Sequence, residues 1–275
     1  MNSIIESRLA EYNVRSEEAR KHALREIVQG IALYSLSVHG FFKKAVFHGG
    51  TELRLVHSLS RFSEDLDFAL HVPAETFSWD GFTDSLLRTC AQYGLNVEIR
   101  EPETQGSSIR RLLLVETSIL ERSTSGRTPF LRISLEVDID PPPCADIETA
   151  YLDFPIPFEI GVMALSSSFA LKCHALLCRS WVKGRDWFDF LWFCSRNIRP
   201  KEELLASSFD QSGPWAGMGI SITPDWLKEQ LSMKIGSIDW KKAQRDIAPF
   251  LSPEDRNSLS VWKADFFIHY LNRMS

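Results

Sequence analysis

The stretch LRISLEVDIDPPP, residues 131–143, narrows the fold more than any other part of the chain. Alternation puts Leu131, Ile133, Leu135, Val137 and Ile139 on one face and Arg132, Ser134, Glu136, Asp138 and Asp140 on the other, the period of a strand and not of a helix. The strand therefore has one apolar and one polar face. Pro141, Pro142 and Pro143 stop it, because proline cannot donate to a ladder. Further strands are expected at Ala45–Phe47, Leu66–Leu70, Leu95–Ile99 and Arg110–Glu116, with this last strand running from Phe130 to Asp138. Helical spacing recurs from Ile4 to about Phe42, with a break between Asn13 and Ser16, and again over Thr51–Val56 and Phe82–Tyr93. This half is α+β. Beyond the loop holding Pro155 and Pro157 the pattern is helical to Ser275, with breaks near Pro200, Gly213–Pro214, Pro224 and Ser252–Pro253. The expected division is a domain of residues 1–160 followed by a helical one of residues 161–275.

Within FHGGTELRLVHSLSRFSEDLDFAL, Asp65 and Asp67 are two residues apart in a strand, so both carboxylates point to the same side, about 6.5 Å apart at their Cα atoms. Such a pair repels at neutral pH unless a cation lies between, and a hard divalent ion accepts these oxygens. The preceding Gly49-Gly50-Thr51 turn brings N–H groups and a hydroxyl within reach of a phosphate, since glycine has no Cβ to block the approach. A phosphate cradle beside a metal clamp is the equipment of nucleotidyl transfer. That chemistry needs a third carboxylate on a neighbouring strand, for which Glu136 and Asp138 are both candidates, whereas Asp140 abuts the prolines and ends the strand.

A second charged constellation lies in SFALKCHALLCRSWVKGRDWFDF. On a continuous helix Lys172, Arg179, Lys183 and Asp186 form one stripe beside Phe169, Cys173, Leu176 and Leu177. Such a row of cations can neutralise a triphosphate. If Gly184 breaks the helix, Asp186 instead caps a new one beginning at Arg185.

The 275 residues, 44% hydrophobic, suffice for one large or two modest cores. Five cysteines with no CxxC pair and no His-rich companion argue against a disulfide framework and a structural zinc, and for reduced thiols in a cytoplasm. The N-terminus is charged from the start and no apolar run approaches the roughly 20 residues that span a bilayer, so neither export nor membrane insertion is expected. A net charge of −5 makes diffuse binding of nucleic acid unfavourable, and any RNA contact should be focused.

Three motifs together, GGT-x-LR with RFSEDLDF, LEVDIDPPP, and LKCHALLCR followed by KGRDWFDF, resemble the AbiEii-type nucleotidyltransferase toxin family of the polymerase-beta-like nucleotidyltransferase superfamily, from about Phe47 to Phe193. The resemblance implies an α+β catalytic half, a helical half completing the site, and action as the toxin of a toxin–antitoxin pair, with a cognate antitoxin as partner. It implies an NTP substrate and an RNA acceptor, with the tRNA 3′ end favoured. Asp65 and Asp67 would hold Mg²⁺ with Glu136, and Gly49, Gly50, Thr51, Arg61 and Ser63 would meet the nucleotide together with Lys172, Arg179 and Lys183. Lys172 and Asp186 would be the family's further essential lysine and aspartate. For the third acid the family favours Glu136, while Asp138 has the shorter side chain usual in polymerase-like sites. His48 stands where many members have lysine, and otherwise reads as a turn histidine packed on the strand. Two other readings use parts of the same equipment: a regulator that binds nucleotide or RNA without turnover, and a metal-dependent nuclease.

Overall fold

The computed structural model describes residues 2–12, 14–102, 106–118 and 131–274. The Ser16 hydroxyl accepts the Ala19 N–H at 3.1 Å and so caps the first long helix. That helix, α2 (Glu17–Val38), follows α1 (Ser3–Ala10), and its stripe of Leu24, Ile27, Val28 and Ile31 is fully buried. Next come β1 (Ala45–His48), α3 (Gly49–Leu55), β2 (Leu66–Leu70), α4 (Asp80–Gln92), β3 (Val97–Arg100), β4 (Ile109–Glu116), β5 (Leu131–Asp138), β6 (Ile147–Leu152) and β7 (Phe158–Met163). Asn13, expected at the first break, and Phe130, expected to open β5, lie outside the described residues.

Among the described residues these strands make one mixed sheet in the order β3-β4-β5-β2-β1-β7-β6. β2 runs antiparallel to β1 and parallel to β5, and β4 runs antiparallel to both β3 and β5. Leu66, Phe68 and Leu70 of β2 and Leu131, Ile133, Leu135 and Val137 of β5 are buried in the same core as Leu24 and Ile27 of α2 and Phe82 and Leu86 of α4. Helices thus cover the apolar face of the sheet, and the alternate residues of β2 and β5 point away from it, as the sequence pattern requires.

The expectation that all residues beyond Pro157 are helical is overturned by β7. Phe158, Ile160 and Val162 are buried while Glu159 is exposed, and Phe47 of β1 pairs with Val162 in parallel. Six residues between a proline loop and a helix give alternation too short to outweigh the helical pattern that follows. β6 was also missed: IETAYL is mostly exposed at the sheet edge, so burial imposes no period on it.

The chain forms two compact units. One comprises Met1–Ser58, Phe62–Pro141 and Glu148–Val162, and contains the sheet core. The other comprises Leu59–Arg61, Pro142–Ile147 and Met163–Ser275. Its helices are α5 (Leu165–Cys178), α6 (Gly184–Ser195), α7 (Glu202–Gln211), α8 (Pro224–Gly236), α9 (Trp240–Ile247), α10 (Pro253–Arg256) and α11 (Ala264–Leu271). Aromatic stacking fills its interior, with Phe169 on Phe193 at 4.5 Å and Trp240 on Phe267 at 3.9 Å between ring centroids. α6 begins at Gly184 because α9 passes there: a Cβ at this position would run into the Ala243 carbonyl, and the Gly184 N–H donates to Asp246 at 2.7 Å.

Candidate active site

Register assembles a polar row across the sheet. His48 pairs with Asp67, Asp67 with Glu136, and Glu136 with Arg111, so four side chains from β1, β2, β5 and β4 share one face. Asp65, just before β2, and Asp67 are both half-buried. Two residues further along β2, Ala69 pairs with Asp138, which brings that second acid to the same face.

Gly49 opens α3 with φ +86°, and a Cβ there would lie 2.6 Å from Asp67 Oδ2. The glycine is needed twice, for its left-handed backbone and to let the carboxylate rest against the turn. Gly49 and Gly50 are half-buried at the head of α3. Thr51 behaves differently from the expectation: it is fully buried and its hydroxyl donates to the Asp65 carbonyl oxygen, fastening the turn to the strand instead of facing a phosphate. Ser63 lies on the same segment, where its carbonyl oxygen accepts from Gln29 Nε2 at 3.4 Å. Glu52 is also fully buried, 2.7 Å from His57 Nε2; burial pushes its carboxyl up, and the histidine opposes the rise.

The two candidate third acids have different surroundings. Glu136 Oε1 accepts from Arg111 Nε at 2.8 Å and from Ser134 Oγ at 2.9 Å. The Arg111 guanidinium is raised first by that hydrogen bond and further by the charges of Glu136 and Asp65, so it lies within the field of both acids. Asp138 is raised by burial, against the opposing effects of the Asp140 N–H at 3.1 Å, His48 and Ser108. Among the described residues no three His, Cys, Asp or Glu side chains are arranged to hold a metal ion as they stand. Glu136, the expected third ligand beside Asp65 and Asp67, is engaged by Arg111. Asp65 and Asp67 alone remain a hard-oxygen pair suited to a divalent cation.

The helical unit gathers the other predicted residues into an ion network. α5 ends at Cys178 and α6 starts at Gly184, so the stripe drawn on one continuous helix is broken. Lys172 and Asp186 nevertheless meet: Lys172 Nζ lies 2.9 Å from Asp186 Oδ1 and 2.9 Å from Asp189 Oδ2. Arg179 also pairs with Asp186. Arg61 makes two hydrogen bonds of 2.7 Å to the two oxygens of Asp189, and both residues are buried. Arg61, expected among the nucleotide-binding residues, thus faces a buried carboxylate. Burial would raise Asp186, but Lys172, Lys183 and Arg179 hold it down to about 2. Asp189 is likewise lowered: burial works to raise it, and Arg61 and Lys172 prevail. Burial would lower Lys172, yet Asp186 and Asp189 raise it, whereas burial lowers Lys183 despite Asp186. Arg111 and Asp189 received no role from the sequence. The pairing of Arg111 with Glu136 needed the register of β4. Asp189 had a signal, its place three residues after Asp186 on the same helical face.

A mixed sheet with two acids, two residues apart, at the start of one strand beside a glycine-opened helix, and with further acids on the adjacent parallel strand, is the frame of a nucleotidyltransferase. The family model described as nucleotidyl transferase AbiEii toxin, type IV TA system, matches residues 31–268, and the chain belongs to that family. Comparison with solved structures finds MenT4, a nucleotidyltransferase toxin from Mycobacterium tuberculosis H37Rv, at TM-score 0.52 and 18% identity, covering 100% of this chain and 99% of that one. JHP933 from Helicobacter pylori aligns at TM-score 0.51 and 17% identity over 94% of this chain and 90% of that one. At these identities the two structures speak for the fold. No curated protein matches the sequence. The chain is accordingly a nucleotidyltransferase, which sets aside the nuclease and the regulator without turnover. No helix among the described residues is long and apolar enough to cross a membrane.

Proposed function

We propose that this protein moves a nucleoside monophosphate from an NTP to a hydroxyl of an RNA acceptor, the tRNA 3′ end being the favoured one, and acts in the cytoplasm as a toxin controlled by a cognate antitoxin. The observation that carries the reading is the polar row, in which Asp67 lies against the glycine turn, with Asp65 just before its strand tied to the same turn by Thr51 and Asp138 on the next strand. Asp65 and Asp67 would hold Mg²⁺, which when bound supplies positive charge to the triphosphate and the pentavalent transition state. Gly49, whose missing Cβ lets Asp67 rest against the turn, and Gly50 open α3, where a phosphate would meet the N–H groups of the turn. Asp138, raised by burial, takes the proton of the acceptor hydroxyl; that oxygen bonds to the α-phosphorus as the bond to pyrophosphate breaks, and pyrophosphate leaves. Glu136 holds Arg111, whose guanidinium faces the same side and offers charge to the leaving phosphates. In the helical unit Lys172 is held between Asp186 and Asp189, which raise it and keep it cationic.

Incubation with each labelled NTP, Mg²⁺ and total RNA tests the reading. Labelled RNA of tRNA size is expected, lost in Asp65→Ala and in Asp67→Ala, with melting temperatures within about 2 °C of the parent, as for substitutions outside a packed core. Transfer that survives in both variants would refute the assignment.

A further inference from the structure

We propose that a groove between α6 and α11 docks unpaired nucleotides of the RNA acceptor, a site that rests on the transfer to RNA argued above. The groove encloses about 220 Å³ and lies wholly within the helical unit. Its walls are two aromatic stripes at helical spacing, Phe188 and Trp192 from α6 and Trp262, Phe266 and Tyr270 from α11 and the turn before it. Interior packing does not account for them all. Trp187, Phe190 and Phe267 on the same helices fill the core, whereas Phe188, Phe266 and Tyr270 stay partly exposed. At one end Phe188 and Trp262 lie 6.4 Å apart, and further along Phe266 and Tyr270 lie 5.1 Å apart.

The charge at the groove selects the occupant. Exposed Arg196 sits over the Trp192 ring at 4.1 Å, and exposed Arg273 over the Tyr270 ring at 5.6 Å. The turn Asn272–Met274 packs against α6, so both guanidinium groups collect where α6 and α11 end. Ser195 and Ser258 add hydroxyls, each donating to a carbonyl oxygen of its own segment, Trp192 and Asp255; Ser195 Oγ also accepts from Arg196 Nη1 at 3.4 Å, and Ser258 Oγ has lone pairs to accept from a base amino group. Rings that stack bases beside cations that take phosphates are what a single strand needs, whereas a base-paired helix keeps its ring faces covered. On a chain of net charge −5, RNA contact has to be concentrated in such a place. A free NTP shares the chemistry of base and phosphate; two guanidinium groups over two different rings favour successive phosphates of a strand.

The test uses full-length Asp65→Ala protein, so that binding is read without turnover. An eight-nucleotide unpaired RNA, a duplex of the same composition, and each free NTP are titrated, with tryptophan quenching and anisotropy as readouts. The unpaired RNA is expected to bind tightest. Tyr270→Ala should weaken it about tenfold, the loss of one stacked base. Arg196→Ala with Arg273→Ala should reduce the salt slope of log affinity by about 1.4, the value for two phosphates of a single strand. Melting at the parent temperature in these variants excludes misfolding as the cause. Binding indifferent to all three substitutions overturns the proposal. So does tighter binding of a free NTP, or a change of mass in solution that makes the groove an interface between copies. If the wild-type protein labels no RNA while the groove residues still govern oligonucleotide binding, the groove stands and the transfer reading falls. Normal labelling with indifferent binding refutes the groove alone.

Discussion

Asp138 has the most consequential environment of any single residue in the sheet unit, because burial raises a carboxyl that is asked to accept a proton. A base works only when ionised, so transfer at saturating NTP should climb as pH rises through its raised value, and Asp138→Asn should remove that limb along with most of the rate. Stability runs the opposite way: a carboxyl raised on folding contributes fully below the ordinary aspartate value, about 3.9, and loses that contribution as pH rises through the raised one. Asp138→Asn is therefore expected to stabilise the protein modestly at pH 8 relative to pH 4, which melting at the two values would show. An unchanged pH–rate limb in Asp138→Asn would transfer the role to Glu136. Gly49 can be tested by the same assays. With φ +86° and only 2.6 Å between a Cβ and Asp67 Oδ2, Gly49→Ala should cost about 1–3 kcal/mol and displace the carboxylate. Transfer should then fall further than melting alone explains.

Among the elements, α6 does the most to organise charge, since Asp186 and Asp189 on successive turns receive Lys172, Arg179 and Arg61. Removing Asp189 alone takes from the buried Arg61 the carboxylate that receives two of its hydrogen bonds, and from Lys172 one of its two carboxylate partners. Asp189→Asn should cost about 3–5 kcal/mol, while the paired change Arg61→Met with Asp189→Leu should recover most of it. Chemical denaturation of Arg61→Met, Asp189→Leu and the double variant closes the cycle; a double variant as unstable as the sum of the singles would mean that the two residues contribute independently, with no coupling between them. This network shows where sequence reading stops. The alternation of β2 and β5 announces itself because each has one buried and one polar face. Lys172 and Asp186 were picked out by a stripe on one helix, yet they meet across the break at Gly184, which exists because α9 crosses there. Asp189 was overlooked because nothing in DWFDF distinguishes an aspartate that faces Arg61 from one that faces water. Likewise Arg111 became part of the candidate site only through the pairing of β4 with β5.

At the scale of the whole chain, the least legible fact is that the helical unit is not one stretch of sequence. Leu59–Arg61, three residues set between α3 and the acidic strand, belong to it, as do Pro142–Ile147. Arg61 closes the buried charge of Asp189, and Lys201 pairs with Asp146 at 2.5 Å. The Asp146 N–H also donates to Ser167 Oγ at 2.9 Å. No composition change marks these short segments, since each contributes by one or two side chains and not by a pattern. A fragment of residues 163–275 retains α5 to α11 and the aromatic interior, but Asp189 loses Arg61 and α5 loses the Asp146 contact at its first turn. In the fragment Asp189 keeps Lys172 but loses both hydrogen bonds from Arg61, and weakening the pairing of so buried a carboxylate costs on the order of a few kcal/mol, a large fraction of what holds a small domain together. The fragment should therefore melt without a cooperative transition and be cut rapidly by protease at 25 °C. Asp189→Leu, which removes the under-paired charge and leaves Lys172 to Asp186, should restore a measurable transition to it. If the unmodified fragment instead unfolds cooperatively with the stability of the intact chain, the Arg61 segment is dispensable and the buried pair contributes nothing to the unit that contains it.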